Sequence, residues 1–516
     1  MYGKVCSASV YGVDGKLIEI EIDIAHGLPQ VNVVGLPDAA VRESIDRVRS
    51  AIRNCGWRFP LERITINLAP ADLRKEGTTF DLAVAIALLF TSEQMNEAPF
   101  ESMLIIGELA LDGTTRVIPG VLSLVDEAKR HGITSVLLPE GNAAEAALVE
   151  GIHVYGLRSL SQLRECTSTA GIIQLAPLQW LDDKDDSSYN KMRPLYDDDI
   201  EDYADVRGQA TAKRALTITA AGMHNVLLSG PPGTGKTMLI RRLPSILPAL
   251  TDTEALEVSK LYSVSGKWDR TSNGLIRSRP FRAPHHSISA AGLIGGGSIP
   301  KPGEVSLAHR GVLFLDELPE FPRQALEVLR QPLEDRHVTI SRARAVFRFP
   351  AHVMLASSMN SCPCGMAGST YSTCTCSPAR LSRYRSRLSG PLLDRIDIQL
   401  EVPRAPLAEW TGTVISSADM KLKVITAQER QASRYKQLPL QFNSELRGSL
   451  LQRFCPLSSS AAQMLRDVYE QLGLSIRAHD RILKVARTIA DVDDCEQIDV
   501  AHIAEAVLYR NMDKLK

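Results

Sequence analysis

The stretch VLLSGPPGTGKT, Val226–Thr237, carries the spacing G-x4-G-K-T. Such a loop, here Gly230, Pro231, Pro232, Gly233, Thr234 and Gly235, turns backbone N–H groups inward around a polyphosphate. Lys236 would reach the outer phosphates and the Thr237 hydroxyl would ligate Mg²⁺. An apolar strand precedes the loop, and the helix after it points its N-terminus at the same anion. GVLFLDEL, Gly311–Leu318, is a continuous apolar run ending in two acids. That pattern predicts a buried parallel strand delivering Asp316 to hold Mg²⁺ through water and Glu317 to activate an attacking water. A third strand, HVMLASSMN, ends at Asn360. Taken alone, Asn360 reads as a turn residue; its order after the two acids favours orienting the lytic water or touching the outer phosphate. Arg395 stands just before a further strand and reads either as an ion-pair partner or as an arginine finger reaching a neighbouring subunit's nucleotide. Arg477 and Arg481 lie one turn apart near a helix start, where one of them could close over phosphates.

A second cluster is NSCPCGMAGSTYSTCTCSP, with Cys362, Cys364, Cys374 and Cys376 spaced C-x-C-x9-C-x-C. Four thiolates can complete a tetrahedral Zn²⁺ shell, and the glycines let the chain fold back. C-x-C is tighter than the usual C-x2-C, so free thiols and redox chemistry stay open as alternatives. Arg380, Arg383, Arg385 and Arg387 follow with Tyr384; they read either as a basic surface for DNA or the next subunit, or as a salt-bridged helix face. His285 and His286 are adjacent and do not converge easily on one ion, so hydrogen bonding is expected of them rather than metal binding.

The elements that must hold these groups are legible around them. The chain has 516 residues, room for roughly three domains. Its apolar content of 44% is that of a globular protein, and its net charge of −1 excludes a global basic field, leaving only local patches for nucleic acid. The longest uncharged apolar run, Leu82–Phe90, is too short to cross a membrane, and the N-terminus shows no signal peptide. A cytoplasmic protein with reduced thiols is expected, with Cys6, Cys55, Cys166, Cys455 and Cys495 as buried small hydrophobes. Residues 1–165 alternate strands and helices. A turn over Val13–Lys16 leads into a strand whose Ile18, Ile20, Ile22 and Ile24 alternate with acids. Asp38 caps a helix with the stripe Val41, Ile45, Val48, Ile52. RITINLAP and SVLLP read as strands, and FDLAVAIALLF as a buried helix. An acidic linker is expected over 166–203, an α/β P-loop core over 204–404 with the cysteine knuckle at 362–376, and a helical region over 405–516.

Together these residues resemble the AAA+ ATPases. The blocks RPFRAPHHSISAAGLIGGG, PKPGEVSLAHRGVLFLDELPEF, NSCPCG and SGPLLDRID resemble, more narrowly, the magnesium-chelatase-like YifB/ComM family. The resemblance covers essentially the whole chain. It implies an αβα ATPase core using ATP and Mg²⁺, with Lys236 and Thr237 as Walker A and Asp316 and Glu317 as Walker B. It further implies Asn360 as sensor 1, Arg395 as a finger acting in trans, and Arg477 (with Arg481 as the other candidate) as sensor 2 in a C-terminal helical lid. Homo-hexamers are usual in this clade. The family also implies a DNA motor that promotes branch migration while transforming single-stranded DNA is integrated. The N-terminal region resembles the α+β proteolytic domain of Lon, with Thr79 where Lon has its nucleophilic serine and Ser123 where it has its lysine. A hydroxyl cannot take the proton that the lysine takes. The Lon-like fold is therefore expected without peptidase activity, and ATP-dependent peptide cleavage would contradict that.

Two segments suit contact with single-stranded or branched DNA. AGLIGGGSIPKPGE reads as a flexible loop with one cation, Lys301. VTISRARAVFRFP reads as a hairpin with Arg342 and Arg344 at its tip, suited to phosphates, although a solvated tip is the plain alternative. Two other functions compete. One is a remodelling ATPase acting on a protein partner, as magnesium-chelatase motor subunits and MoxR-like ATPases do. The other is an ATP-dependent protease, disfavoured by Ser123.

Overall fold

The computed structural model describes residues 1–75, 77–96, 100, 102–166, 201–269, 274–297, 300–342, 345–367, 373–406 and 414–510. Most of the expected linker (167–200), Arg344 and the C-terminal 511–516 lie outside the described residues. The chain divides into two units: Met1–Met192 with Ala255–Ile276, and Arg193–Glu254 with Arg277–Lys516.

In the first unit the alternating isoleucines build the strand that organises the sheet. Strands β1 (Tyr2–Tyr11) and β2 (Asp14–Ala25) form a long antiparallel pair. Ile18, Ile20, Ile22 and Ile24 are buried, while Glu19 and Asp23 face out as expected. The turn is shorter than the sequence suggests. Tyr11 pairs with Asp14, so Gly12 and Val13 alone make it, with Gly12 at a φ of 70°. Gly15 lies inside β2, where a Cβ would come within 2.6 Å of the Ser123 carbonyl oxygen. Its role is close packing rather than turning. Strands β3 (Gln30–Val34), β4 (Arg63–Ala69), β5 (Met103–Ile105), β6 (Ser135–Pro139) and β7 (His153–Leu157) complete a mixed sheet of order β3-β4-β2-β1-β5-β6-β7. Helix α1 (Ala39–Asn54) begins at Asp38, whose Oδ1 accepts the Val41 N–H at 2.8 Å. It buries the expected stripe against α2 (Asp81–Thr91), every residue of which is buried.

Helix α3 (Val121–Arg130) packs on β2, in a core that also takes Leu256, Trp268 and Leu275. In this way Ala255–Ile276, expected inside the ATPase core, belongs with the N-terminal unit. Polar contacts fix it there: Lys260 pairs with Asp126, and the Ser263 hydroxyl donates to Glu145. Of the scattered cysteines with described side chains, Cys55 and Cys455 are buried as expected. Cys6 and Cys495 are only half-buried, each packed at the edge of a core.

The second unit carries a five-stranded parallel sheet built from β8 (Val226–Ser229), β9 (Phe281–Arg282), β10 (Val312–Leu315), β13 (Met354–Met359) and β14 (Ile398–Glu401). Its order is β9-β10-β13-β8-β14. Strands β11 (His337–Arg342) and β12 (Ala345–Pro350) form a separate antiparallel hairpin. The C-terminal helices Ser417–Arg434, Ser459–Leu472, Ile476–Val492 and Val500–Leu508 share one core with this sheet. A buried polar chain ties them to its N-terminal edge. Asp491 accepts from Arg434 at 2.9 Å and from Asn443 at 2.8 Å; Asn443 donates to Thr488 at 3.0 Å; Thr488 bonds His224 at 2.8 Å, and His224 bonds Asp397 at 3.2 Å. Networks so fully satisfied hold one arrangement, because losing a member strands a buried polar group.

Candidate nucleotide-binding site

Parallel pairing puts the carboxyl ends of β8, β13 and β10 along one edge, with Ser229 opposite Met359 and Leu315 opposite Ser357. Open α/β sheets bind ligands at that edge, where the strand order reverses. The loop after β8 needs its glycines. Gly233 and Gly235 sit at φ 75° and 85°, and a Cβ on Gly230 would strike the Val402 carbonyl oxygen at 2.3 Å. The Lys236 Nζ donates to the carbonyls of Gly230 (2.9 Å) and Pro231 (2.7 Å), and it lies 3.4 Å from the Asn360 Oδ1. Burial lowers its pKa, with Asp316 opposing. A phosphate arriving here would meet a cation already held inward. The Thr237 hydroxyl donates to Asp316 at 3.0 Å, and the second Asp316 oxygen accepts from Ser358 and from the Glu317 N–H. Thr237 and Asp316, the two residues expected from the sequence to hold Mg²⁺, are thus hydrogen-bonded to each other. Ser358, which carries no motif of its own in the sequence, points from β13 straight at Asp316.

Glu317 leaves the strand in a left-handed conformation, φ 53°, with its side chain 57% exposed. The bend falls at the end of the strand, and the carboxylate is open to solvent there. The His286 Nδ1 lies 3.9 Å from it, and the His286 ring stacks on His285 and meets Phe321 edge-on. His285 bonds Ser287 at 2.8 Å. The histidine pair therefore lies beside the second acid, and it is not among the potential metal clusters of the described residues.

The three arginines lie elsewhere. Asn225, which precedes β8, donates to the Arg395 carbonyl at 2.8 Å, and its own carbonyl accepts the Asp397 N–H at 3.0 Å. The Arg481 Nε is 3.4 Å from Asp397. Burial would raise the Asp397 carboxyl, but His224, Lys484 and Arg481 around it hold it at about 2. Both arginines therefore sit at the amino edge of the sheet. A four-residue strand at about 3.3 Å per residue puts roughly 13 Å between that edge and the start of the phosphate loop. Arg395 donates to Glu334 and to the Pro391 carbonyl. Arg477 is exposed, one turn before Arg481.

The four cysteines do converge. Their sulfurs lie within 4.8 Å of one another, with separations of 3.3, 3.6 and 3.7 Å between pairs of Cys362, Cys364 and Cys374. A tetrahedral shell with Zn–S of about 2.3 Å needs S···S of about 3.8 Å. The donor set fits Zn²⁺ in number, softness and size. Backbone N–H groups of Met366 and Thr375 lower the Cys364 thiol to about 6, and the Ala367 N–H points at Cys362 from 3.2 Å. Cys374 receives the Cys376 N–H, but desolvation and the neighbouring thiols push it up to about 11.

The two loops expected to meet DNA lie side by side. The described residues around Lys301 include regular elements within the stretch expected to be a loop. Ser289 caps a short helix, Ala290–Ile294, and Gly295–Gly296 pairs with Lys301–Pro302. The Arg342 Nη2 donates to the Gly297 carbonyl at 2.7 Å, joining that ladder to the β11–β12 hairpin. Lys301, Arg342 and Arg348 are exposed there. In the basic helix Pro378–Arg385 and its exit, Arg387 pairs with Glu320. Arg380 and Arg383 are exposed. In the first unit, Thr79 is half-buried and Ser123 is buried on α3 with its hydroxyl unpartnered. The buried Lys75, four residues before Thr79, donates to the Pro70 carbonyl.

Residues 202–410 match the family described as "Magnesium chelatase, subunit ChlI", residues 20–142 "Subunit ChlI of Mg-chelatase", and residues 415–510 "Magnesium chelatase, subunit ChlI C-terminal". The chain is 45% identical over 525 residues to "Uncharacterized protein YifB" of Salmonella typhimurium, covering 99% of this chain and 97% of that one. It is 42% identical over 514 residues to "Competence protein ComM" of Haemophilus influenzae, covering 99% and 98%. A stretch of 158 residues is 29% identical to Lon protease 2 of Bacillus subtilis, covering 30% of this chain and 28% of that protein. With full-length identity at this level and a phosphate loop, paired acids and Asn360 on one sheet edge, the chain belongs to the magnesium-chelatase-like YifB/ComM family.

Proposed function

We propose that this chain is an ATP-driven DNA motor that works as a homo-hexamer and promotes branch migration while transforming single-stranded DNA is integrated. The observation that carries the motor reading is the split of charged groups across the sheet. Lys236, Thr237, Asp316, Glu317 and Asn360 gather at the carboxyl edge, while Arg395 and Arg481 lie at the opposite edge. A subunit built this way supplies its arginine to a neighbour rather than to itself. ATP and Mg²⁺ are the cofactors of the first edge, and Zn²⁺ completes the shell of the four cysteines.

Residue roles follow from position. Lys236 leaves the loop carbonyls to bind the outer phosphates, and Asn360 orients the same group. Thr237 and Asp316 hold Mg²⁺, and Glu317 takes the proton of the attacking water. Arg395 of the adjacent subunit meets the charge that develops in the transition state. The relative named for competence supports DNA as the track. So do Lys301 and Arg342, brought together on adjoining hairpins. The Lon-like unit, with hydroxyls at both positions that would carry peptidase chemistry, serves ring assembly or DNA contact.

Removing two phosphate-binding cations should flatten the salt dependence of DNA binding. Arg342→Ala/Arg344→Ala is expected to reduce the slope of log affinity against log salt by about 1.4 on single-stranded DNA, at roughly 0.7 per phosphate. Fluorescence anisotropy across a salt series reads this directly. An unchanged slope would remove the hairpin from the DNA path. The magnesium-chelatase matches support a second reading, an ATPase that remodels a protein partner. A wild-type chain that does not bind DNA at all would favour it.

A further inference from the structure

The four-cysteine knuckle touches the phosphate loop. Cys362 follows Asn360 by two residues, and its carbonyl accepts the Gly365 N–H at 2.9 Å. That bond closes a tight turn in which Gly365 takes a φ of 80°. A Cβ built on Gly365 would lie 2.7 Å from the Cδ and 3.0 Å from the Cγ of Pro232. The turn therefore rests against the ring of a residue at the crown of the phosphate loop, with no room for a side chain between them. The same loop holds Lys236 through the Pro231 carbonyl, and Asn360 reaches Lys236 from the strand that feeds the knuckle. Cys374 and Cys376, from the far end of the knuckle, lead into Ser377, whose hydroxyl caps the helix Pro378–Arg385. Among the described residues, the convergence of four sulfurs brings the two ends of the knuckle together.

From this geometry we propose that Zn²⁺ in the four-cysteine site is a brace for the nucleotide pocket: the ion fixes the Gly365 turn, and the turn fixes Pro232 and the phosphate loop in their nucleotide-binding form. The proposal rests on the zinc and nucleotide readings above and adds that the two sites are energetically coupled. Four thiolates leave no open position on the ion, so its part is structural. Coupling is reciprocal: zinc tightens nucleotide binding, and bound nucleotide tightens zinc binding by the same factor.

The test uses the full-length chain and two readouts, zinc by elemental analysis and binding of a fluorescent ADP analogue in excess Mg²⁺. The wild type should hold about one zinc per chain, as a closed four-cysteine site does. Stripping the zinc with 1,10-phenanthroline should weaken ADP binding by roughly tenfold or more, and re-addition should restore it. Gly365→Ala should keep zinc and weaken ADP to a similar extent, because its Cβ displaces Pro232 and its φ disfavours any side chain. Cys376→Ser should lose both. Because the stripped wild type has no altered residue, a folding defect in either variant does not blunt the test. Absence of zinc from the wild type would overturn the metal site. Stoichiometric zinc with ADP affinity unchanged, both after stripping and in Gly365→Ala, would overturn the brace and leave the metal site standing. A wild type that binds no ADP would overturn the nucleotide reading and the brace with it.

Discussion

Glu317→Gln is expected to lower ATP turnover by about 10²–10⁴-fold, the range a positioned general base supplies. ATP affinity should stay within about twofold, because the interaction removed is one made in the transition state. The reason is geometric. Lys236, Thr237 and Asp316, the groups proposed to meet phosphate and Mg²⁺, are held by bonds to the loop and between Thr237 and Asp316. Glu317 takes no part in that web beyond its backbone N–H, which donates to Asp316. Its left-handed backbone sends the carboxylate out past the strand end. The amide keeps size and polarity but cannot accept the proton. Phosphate release at saturating ATP, set beside equilibrium binding of a fluorescent ATP analogue, separates the two effects. Equal losses in both would mean that Glu317 binds nucleotide rather than activating water.

Arg395→Ala should be nearly as damaging, by about 10³-fold or more in turnover, the scale of an arginine finger. The more telling result is complementation. Lys236→Ala has no working phosphate loop but keeps Arg395; Arg395→Ala has the reverse. Each alone should be inactive. Mixed, they create interfaces in which an intact loop faces an intact arginine, and activity should return. The expectation rests on the placement of the Arg395 backbone beside Asn225, at the edge of the sheet opposite the phosphate loop. Matched thermal melting curves would exclude a simple loss of the Arg395 bond to Glu334 as the cause. A mixture as inactive as its parts would take Arg395 out of the catalytic interface.

Much of this is readable from residue order because the relevant constraints are local. A phosphate loop is a contiguous stretch, so Gly230–Thr237 declares itself. So does β2, since the alternation of Ile18–Ile24 with acids is a property of one strand. The paired acids are legible because a parallel strand buried on both faces must be apolar until it ends. Contacts between segments far apart in the chain leave no such trace. The helix Asp252–Ser265 mixes apolar and polar residues, yet Ser259, Lys260 and Ser263 are buried along with Ala255, Val258, Leu261 and Tyr262. Its sequence does not announce that enclosure, and its alliance with α3 in the N-terminal unit carries no sequence signal. The side of the sheet on which Arg395 and Arg481 fall depends on the polar chain from Asp491 to Asp397, whose members come from four separate segments. Likewise the sequence reads Gly365 in GMAG only as letting the chain fold back, and its close approach to Pro232 appears in the structure alone. The turn at Gly12–Val13 is hidden because Asp14-Gly15-Lys16 carries stronger turn chemistry; packing of Gly15 against α3 outweighs it.

The most direct test joins the two edges of the sheet to the DNA. A labelled three-strand junction is incubated with the full-length chain, ATP and Mg²⁺, and strand displacement is followed with time. The wild type should move the junction only with hydrolysable ATP and should hydrolyse ATP faster when single-stranded DNA is added. Lys236→Ala and Glu317→Gln should leave the junction where it is. A wild type that hydrolyses ATP at the same rate with and without DNA, and displaces no strand, would contradict a DNA motor and leave a protein-remodelling ATPase in its place.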